Sequence, residues 1–266
     1  MSPLGFLRAT AAQNHAVLLD GDDATARFSV QPPLPSGAPS PEYKLVIKTI
    51  GQSVTAAEID PTLLPEFCPE RHINPGGTFC LYWAEAEDGD IVDEDTANLW
   101  WGKLLLFLRH QRTAGKLREW PGQGDARAHG NAARYQAQAE QEADVLGQTL
   151  RQALRDNRLT TKKRKSGRIG LYLNGKRLLS VFLKERRVMT LRQRCKCAEA
   201  EQRRLPIVDC DDHGAAIVRL VLAMEAWKSA EAEFSKTFKS LAYKCCGTMD
   251  NCPLAASLTD PVKEAA

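Results

Sequence analysis

The sequence predicts an α+β fold in two domains, and three features of its pattern lead to this conclusion. Short runs of β-branched and aromatic residues, typical of strands, occupy the first third of the chain and a stretch after residue 165. Apolar residues at helical spacing dominate the middle of the chain and recur near its end. Six of the eight cysteines lie beyond residue 194, so the C-terminal part differs in composition from the rest.

The N-terminal part is expected to form strands followed by an extended segment. Strands are predicted at residues 16–19, Thr25–Val30 and Tyr43–Ile50, with a loop rich in proline, serine and glycine between the last two. From residue 55 to residue 77 the apolar pattern has no period, and four prolines forbid a helix interior and disfavour a central strand. The chain should therefore reach Cys80 in an extended conformation.

Three helices and a hairpin are predicted after Cys80. Apolar residues at helical spacing predict one helix around residues 99–108 and a second over residues 130–157. The Asn174-Gly175 pair between two apolar runs is a strong hairpin signal. A last helix is expected over residues 215–243. We place a domain boundary near residue 158, where a basic run changes the composition, which predicts domains of residues 1–157 and 158–266.

Composition excludes several classes of function. The chain has 266 residues and a net charge of +3, which is too mild for a nucleic-acid-binding surface. Its longest apolar run, residues 104–108, is far shorter than the roughly 20 residues that cross a bilayer. The first residues lack a signal-peptide pattern. We expect a soluble, cytoplasmic protein with no nucleic-acid or membrane partner, whose cysteines serve as metal ligands or nucleophiles.

The segment before Cys80 carries the most specific motif. Residues 69–81 read Pro-Glu-Arg-His-Ile-Asn-Pro-Gly-Gly-Thr-Phe-Cys-Leu. This stretch resembles the active-site segment of ubiquitin-conjugating enzymes, in which His-Pro-Asn precedes Ile-Asn-x-x-Gly-x-Ile-Cys-Leu. Without gaps, the matching positions are Ile73-Asn74, Gly77, Thr78, Phe79 and Cys80-Leu81.

The resemblance covers roughly residues 15–150 and implies both a fold and an activity. It implies the UBC fold: an antiparallel meander sheet, an extended active-site segment and C-terminal helices. It also implies that Cys80 carries an activated ubiquitin-like protein as a thioester and passes it to an amine, within a bacterial conjugation system. The implied partners are the modifier, its activating enzyme and a target protein amine.

Three departures from the family pattern accompany the match. Glu70-Arg71-His72 stands in place of His-Pro-Asn, so His72 falls where the family keeps its functional asparagine. No N-terminal helix is evident in the sequence. An acidic segment, residues 85–95, stands where the family is shorter.

The chemistry of thioester transfer suits the residues of this motif. A thiolate both accepts an acyl group and releases it to an amine, which makes Cys80 the candidate nucleophile. His72 is a candidate hydrogen-bond donor to the developing oxyanion, or a base near neutral pH, and Asn74 is a spare amide donor. Other interpretations stay open. Cys80 alone fits a buried core thiol, Asn74 fits a turn, and His72 fits a backbone contact or a zinc site with Cys68 and Cys80.

The C-terminal cysteines predict a structural zinc site. One tetrahedral zinc needs four ligands. We expect two of them from the cysteines before the last helix and two from those after it, a set drawn from Cys195, Cys197, Cys210, Cys245, Cys246 and Cys252. His213 adds a seventh soft ligand to the region. Disulfides, free thiols and an iron–sulfur cluster are the alternatives.

This C-terminal part is therefore predicted to be a small cysteine-rich module built on a hairpin and a helix. Its Cys-Cys-Gly-Thr-Met and Cys-Pro-Leu stretches resemble the tails of bacterial cysteine-rich proteins found with ubiquitin-like conjugation systems.

Three hypotheses for the function follow. The first is a ubiquitin-conjugating-type carrier that acts through Cys80. The second is a non-catalytic UBC-like adaptor, or a zinc-stabilised scaffold of the same pathway, which the missing His-Pro-Asn supports. The third is an unrelated zinc protein that binds metal through Cys68, His72 and Cys80.

Overall fold

A computed structural model describes residues 1–83, 85–121, 127–250 and 252–255. The chain forms two compact units. The first comprises Met1–Pro121 together with Tyr243–Ala266, and the second comprises Gly122–Ala242. Within the described residues, no helix combines the length and the apolar character needed to span a membrane.

The first unit is built on a four-stranded antiparallel meander. Its strands are β1 (Ala16–Gly21), β2 (Thr25–Val30), β3 (Tyr43–Ile50) and β4 (Ser53–Glu58), and they pair in chain order. Alternate residues of β3 are buried, as expected for a sheet with one covered face. The three strands predicted from the sequence are confirmed, and the antiparallel meander implied by the family resemblance is confirmed with them.

Strand β4 was not predicted, because its short Ser-Val-Thr-Ala-Ala-Glu sequence has little strand propensity. It forms through a two-residue turn after β3, in which Ile50 pairs with Ser53. Gly51 occupies the first turn position with φ 62°, the left-handed conformation that such a hairpin turn requires.

Two helices cover the buried face of this sheet. Helix α1 (Pro3–Thr10) is capped by Ser2, whose Oγ accepts the Gly5 N–H at 3.2 Å. The expectation of no N-terminal helix was wrong, because a Ser-Pro cap begins a helix of only eight residues whose Leu4 and Leu7 are fully buried. Helix α2 (Glu94–Leu117) was predicted and is confirmed.

The core of the first unit is centred on Trp101 of α2. Its ring meets Phe28 of β2 edge to face, with 5.3 Å between centroids. Its Nε1 donates to the Leu7 carbonyl oxygen at 3.2 Å. One side chain thus joins the sheet and both helices.

The segment between β4 and α2 is extended, as predicted. Its described residues contain one 3-10 turn, Pro69–Arg71, and no regular strand. Isolated bridges hold it instead, pairing Cys68 with Ile73, Ile73 with Phe79 and Thr78 with Ala57 of β4. This irregular segment carries Cys80.

The second unit combines helices with a second antiparallel sheet. Helices α3 (Ala132–Leu146) and α4 (Gln148–Arg155) replace the single helix predicted over residues 130–157. Gly147, with φ 100°, separates them. The later helices are α5 (Ala198–Arg203) and α6 (His213–Ser240), and α6 confirms the predicted last helix.

The second sheet contains β5 (Leu159–Arg164), β6 (Arg168–Leu173), β7 (Lys176–Phe182) and β8 (Arg187–Val188), paired in chain order. The hairpin predicted at Asn174-Gly175 joins β6 to β7 and is confirmed. The basic run before it lies on β5, where Lys162, Lys163 and Arg164 are exposed.

The compact units divide after Pro121, whereas the sequence analysis placed the domain boundary near residue 158. The physical reason is packing. Ala139, Ala143 and Leu146 of α3 share a buried core with α6 and the second sheet, so the helices before residue 158 belong to the second unit.

Candidate functional site

Backbone hydrogen bonds define the position of Cys80. Its N–H donates to the His72 carbonyl oxygen at 2.8 Å, and the N–H of Phe79 donates to Ala56 of β4 at 2.8 Å. Cys68 and Ile73 exchange two hydrogen bonds, of 3.1 and 3.0 Å. The segment therefore folds back on itself and places Cys80 beside His72, held against the edge of the first sheet.

Phe79 and Cys80 are neighbours in this segment, and their side chains have opposite environments. Phe79 is buried and packs on Phe107 of α2, with 4.8 Å between ring centroids. Cys80, the next residue, is exposed. Exposure is incompatible with the interpretation of Cys80 as a buried core thiol, because an apolar neighbour fills the core position instead.

The protonation state of Cys80 depends on its surroundings. Although the residue is exposed, nearby protein atoms desolvate the thiolate, and this raises the pKa of the Cys80 thiol. Repulsion from the Glu87 carboxylate raises the pKa further. Glu87 is itself paired with Lys103 of α2, with 2.5 Å between Oε2 and Nζ.

His72 lies at the C-terminal end of the 3-10 turn. Its backbone is left-handed, with φ 54°, a conformation that is uncommon for residues other than glycine and asparagine. Its ring lies against Trp120, with 4.8 Å between centroids. The carbonyl that accepts from Cys80 belongs to the same residue, so the backbone of His72 positions the backbone of Cys80.

Asn74 begins the tight turn that precedes Cys80. Its N–H donates to the Thr78 carbonyl oxygen at 2.8 Å, and its own carbonyl accepts from Gly77 at 3.0 Å. Gly76 and Gly77 both have φ near 80°, which explains the glycine pair. The backbone of Asn74 thus shapes a turn, while the residue is exposed.

Arg71 is a structural residue that the sequence analysis missed. Its guanidinium is buried and donates from Nε to Gln111 Oε1 at 2.7 Å and from Nη2 to the Gln111 carbonyl at 3.1 Å. Gln111 Nε2 donates back to the Arg71 carbonyl at 2.5 Å. The sequence signal that could have revealed this pairing is Gln111, a polar residue within the apolar stripe of α2. Together these bonds tie the segment that carries Cys80 to α2.

The structure does not combine Cys68, His72 and Cys80 in a metal site. Cys68 is buried and its Sγ lies 3.0 Å from Sγ of Cys246, whereas Cys80 is exposed. The sequence spacing of Cys68, His72 and Cys80 suggested a ligand set, but the side chains of Cys68 and Cys80 lie in different environments.

A cysteine and histidine cluster lies in the second unit. The ligand atoms of Cys195, Cys197, Cys210 and His213 all lie within 4.8 Å of one another. Sγ of Cys210 is 3.2 Å from His213 Nδ1 and Sγ of Cys197 is 3.5 Å from Sγ of Cys210. Three thiols and one imidazole are a common donor set for a structural zinc ion.

Burial affects the protonation of two thiols in this cluster. Burial and the neighbouring thiols raise the pKa of Cys210 to about 12, so this thiol resists ionisation. Burial also raises the pKa of Cys195. A divalent cation reverses this preference, because it binds the thiolate form and displaces the protons.

This cluster differs from the mixed ligand set predicted from the sequence. His213, at the first position of α6, takes the fourth place. Cys245, Cys246 and Cys252 belong to the first compact unit instead. The Cys-x2-His spacing of Cys210 and His213 is the sequence signal for this pairing.

Two family models match the chain. A model described as a prokaryotic E2 domain matches residues 16–122, and one described as a cysteine-rich domain, C-terminal to E2 domain, matches residues 128–254. No curated protein and no solved structure matches the chain significantly. The E2 match includes the whole of the Cys80 segment. Residues 16–122 thus match a prokaryotic E2 domain and residues 128–254 match the cysteine-rich domain found C-terminal to it, which agrees with the resemblance to a ubiquitin-conjugating-enzyme-like protein with an appended cysteine-rich module.

Proposed function

We propose that the protein is a conjugating-type carrier that accepts an activated ubiquitin-like protein as a thioester on Cys80 and transfers it to an amine. The E2 match supports a ubiquitin-conjugating-type role in general. The observation that carries the specific proposal is the exposed thiol of Cys80, presented at the end of a segment whose backbone is held by hydrogen bonds. Its partners are the modifier, an activating enzyme and a protein amine.

The proposed reaction has two steps. The Cys80 thiolate attacks the thioester carbonyl of the modifier on its activating enzyme, a new C–S bond forms, and the enzyme's thiolate leaves. An amine then attacks the Cys80 thioester, a C–N bond forms, and the C–S bond to Cys80 breaks. The amine loses a proton to a base or to water, and the Cys80 thiol is regenerated.

His72 and Asn74 are proposed to assist the second step. Negative charge develops on the thioester oxygen during attack by the amine, and a positioned donor is commonly worth about 3–4 kcal/mol there. The backbone hydrogen bond makes His72 a close neighbour of Cys80, and we propose its imidazole, which lies against Trp120, as that donor or as the base. Asn74, in the preceding turn, is the second candidate.

One observation favours the adaptor as a second candidate function. Within Glu70-Arg71-His72, which replaces the family's catalytic tripeptide, Arg71 is buried and bonded to Gln111. Because Arg71 has a structural role, this tripeptide offers fewer side chains that could take part in the transfer reaction. A protein of this kind would hold pathway components without forming a thioester.

The cluster of Cys195, Cys197, Cys210 and His213 is proposed to bind a structural zinc ion. The three thiols and the imidazole supply a closed tetrahedral set, leaving no position for a substrate. An exposed nucleophilic thiol needs a reducing compartment, so the proposal also places the protein in the cytoplasm.

The Cys80→Ser substitution tests the carrier. With a candidate ubiquitin-like protein, its activating enzyme and ATP, wild-type protein should form an adduct that thiol reagents cleave. The serine variant should form none, or an ester that thiols leave intact, and Cys80→Ala should form none. Intact-protein mass spectrometry measures each species. If an activating enzyme charges a known carrier protein but does not charge the wild-type protein, the result contradicts the carrier function and supports the adaptor.

Substitution of His72 separates the two steps. His72→Ala should leave thioester formation intact and slow discharge to free lysine by about 10²-fold, the typical effect of one oxyanion donor. His72→Asn, which restores an amide donor, should recover part of the rate. His15→Ala is the matched control, because His15 is also left-handed, with φ 56°, and is exposed. If all variants discharge the thioester at the same rate, His72 is not the oxyanion donor or the base. Asn74→Ala then tests Asn74, the second candidate donor.

The Glu87→Gln substitution tests the electrostatics of Cys80. Removing the carboxylate lowers the pKa of the thiol, so the thiolate fraction at pH 8 rises and alkylation of Cys80 by iodoacetamide should accelerate by up to about tenfold for each pKa unit. Glu85→Gln, in the same acidic segment, is the control and should change little. Peptide mass spectrometry measures labelling at Cys80 alone. A rate that is unchanged or slower contradicts the assignment of repulsion to Glu87.

Zinc at the cluster of Cys195, Cys197, Cys210 and His213 is tested by Cys210→Ser. The variant should contain one zinc ion fewer per chain than the wild type and should show reduced stability, because a structural site contributes binding energy to folding. Elemental analysis counts the metal and circular dichroism follows unfolding. Cys80→Ser is the control and should retain all metal. Equal zinc content in Cys210→Ser and wild type removes the zinc proposal for this cluster.

A further inference from the structure

A second group of thiols meets in the first compact unit. Cys68 lies in the extended segment before α2, whereas Cys245, Cys246 and Cys252 lie in the tail after residue 242. Sγ of Cys68 is 3.0 Å from Sγ of Cys246, and the Cys245 and Cys252 side chains interact with each other. Cys252 is also close enough to Cys68 to interact with it electrostatically. Four thiols, separated by up to 184 positions, are thus gathered as two adjacent pairs.

We propose that Cys68, Cys245, Cys246 and Cys252 form a second zinc site, which joins the tail of the chain to the segment that carries Cys80. Four thiolates are the donor set of many structural zinc sites. The thiols form two neighbouring pairs in this structure, and binding draws both pairs onto one ion. The site is independent of the thioester chemistry proposed for Cys80.

Burial supports a structural role for these cysteines. Cys68 is 1% exposed and Cys252 is 5% exposed, while Cys245 and Cys246 are half-buried. A structural zinc ion needs a closed set of ligands, which buried side chains provide. Cys80, the exposed thiol of the same unit, lacks this environment and is left out of the site.

The groups around the four thiols also suit bound thiolates. The N–H of Gly247 donates to Cys245 Sγ at 3.3 Å, and Thr248 Oγ1 lies 3.0 Å from Cys246 Sγ. The Arg71 guanidinium donates from Nη1 to Thr248 Oγ1 at 3.2 Å, which places a positive charge beside the cluster. Donors and a cation of this kind orient metal ligands and offset the excess negative charge of four thiolates.

The conformation of the tail gives an independent reason for a cross-link. The described residues from Tyr243 onward form no helix or strand. Their other anchors include the buried side chains of Met249 and Leu254, the Tyr243 ring packed on Phe67 with 4.7 Å between centroids, and an ion pair of Arg118 with Asp250 at 2.6 Å. Ordering a segment without regular structure costs conformational entropy, which a cross-link helps to offset. A metal ion with three ligands from the tail supplies such a cross-link.

The site has a consequence for the Cys80 segment. Cys68 exchanges two hydrogen bonds with Ile73, and His72 accepts from Cys80, so a metal at Cys68 restrains the base of the fold-back that presents Cys80. A disulfide between Cys68 and Cys246 is the competing explanation for their proximity. It would use only two of the four thiols and would leave Cys245 and Cys252 without a role.

Metal counting on the full-length protein tests the site. Wild-type protein purified without chelator should contain two zinc ions per chain by elemental analysis. Cys246→Ser should contain one, Cys210→Ser should contain one, and the double variant none. Cys80→Ser is the matched control within the first unit and should keep two. Wild-type protein with one zinc ion that Cys246→Ser retains in full overturns the proposal.

Two further measurements keep the test decisive. If Cys246→Ser loses both ions through misfolding, Cys246→His should restore the count to two, since histidine also binds zinc; a count that stays at zero or one contradicts the site. Native mass spectrometry after metal release distinguishes four free thiols from a chain lacking two hydrogens. The latter mass identifies a disulfide and overturns the proposal.

Discussion

The position of Cys80 depends on the reciprocal pairing of Arg71 with Gln111. The described part of the segment between β4 and α2 has no regular strand, so a ladder does not satisfy its backbone groups. The buried Arg71 guanidinium donates twice to Gln111, and the Arg71 carbonyl oxygen accepts from Gln111 Nε2, which ties this segment to a helix that is already held in the core. Hydrogen bonds to charged groups are worth about 1.5–3 kcal/mol each, so few are needed.

The cysteines of this protein serve different purposes because their environments differ. Cys80 follows a buried phenylalanine and is exposed, which leaves its thiol available to another protein. The remaining cysteines gather in two groups, one around His213 and one around Cys68. Thiols gathered in this way can bind one cation together, because a metal ion binds the thiolate form and displaces the protons. One residue type therefore supplies a candidate nucleophile and two candidate metal sites.

Local sequence signals predicted much of the fold. Three strands of the first sheet, the Asn174-Gly175 hairpin, helix α2 and the last helix all follow from short-range patterns, and each is confirmed. The errors arose where local signals were weak. Helix α1 has only eight residues, β4 has little strand propensity, and a single glycine divides α3 from α4. The division after Pro121 depends on packing between distant helices, which no local pattern contains.

The sequence by itself determined the motif around Cys80, because the spacing of the isoleucine, asparagine, glycine and cysteine is a local property of the chain. It also showed that the last third holds enough soft ligands for zinc. Only the tertiary structure decided which ligands meet, separating Cys195, Cys197, Cys210 and His213 from the group that includes Cys68. Composition and spacing specify which donors exist. Their grouping depends on how two separate cores bring distant segments together.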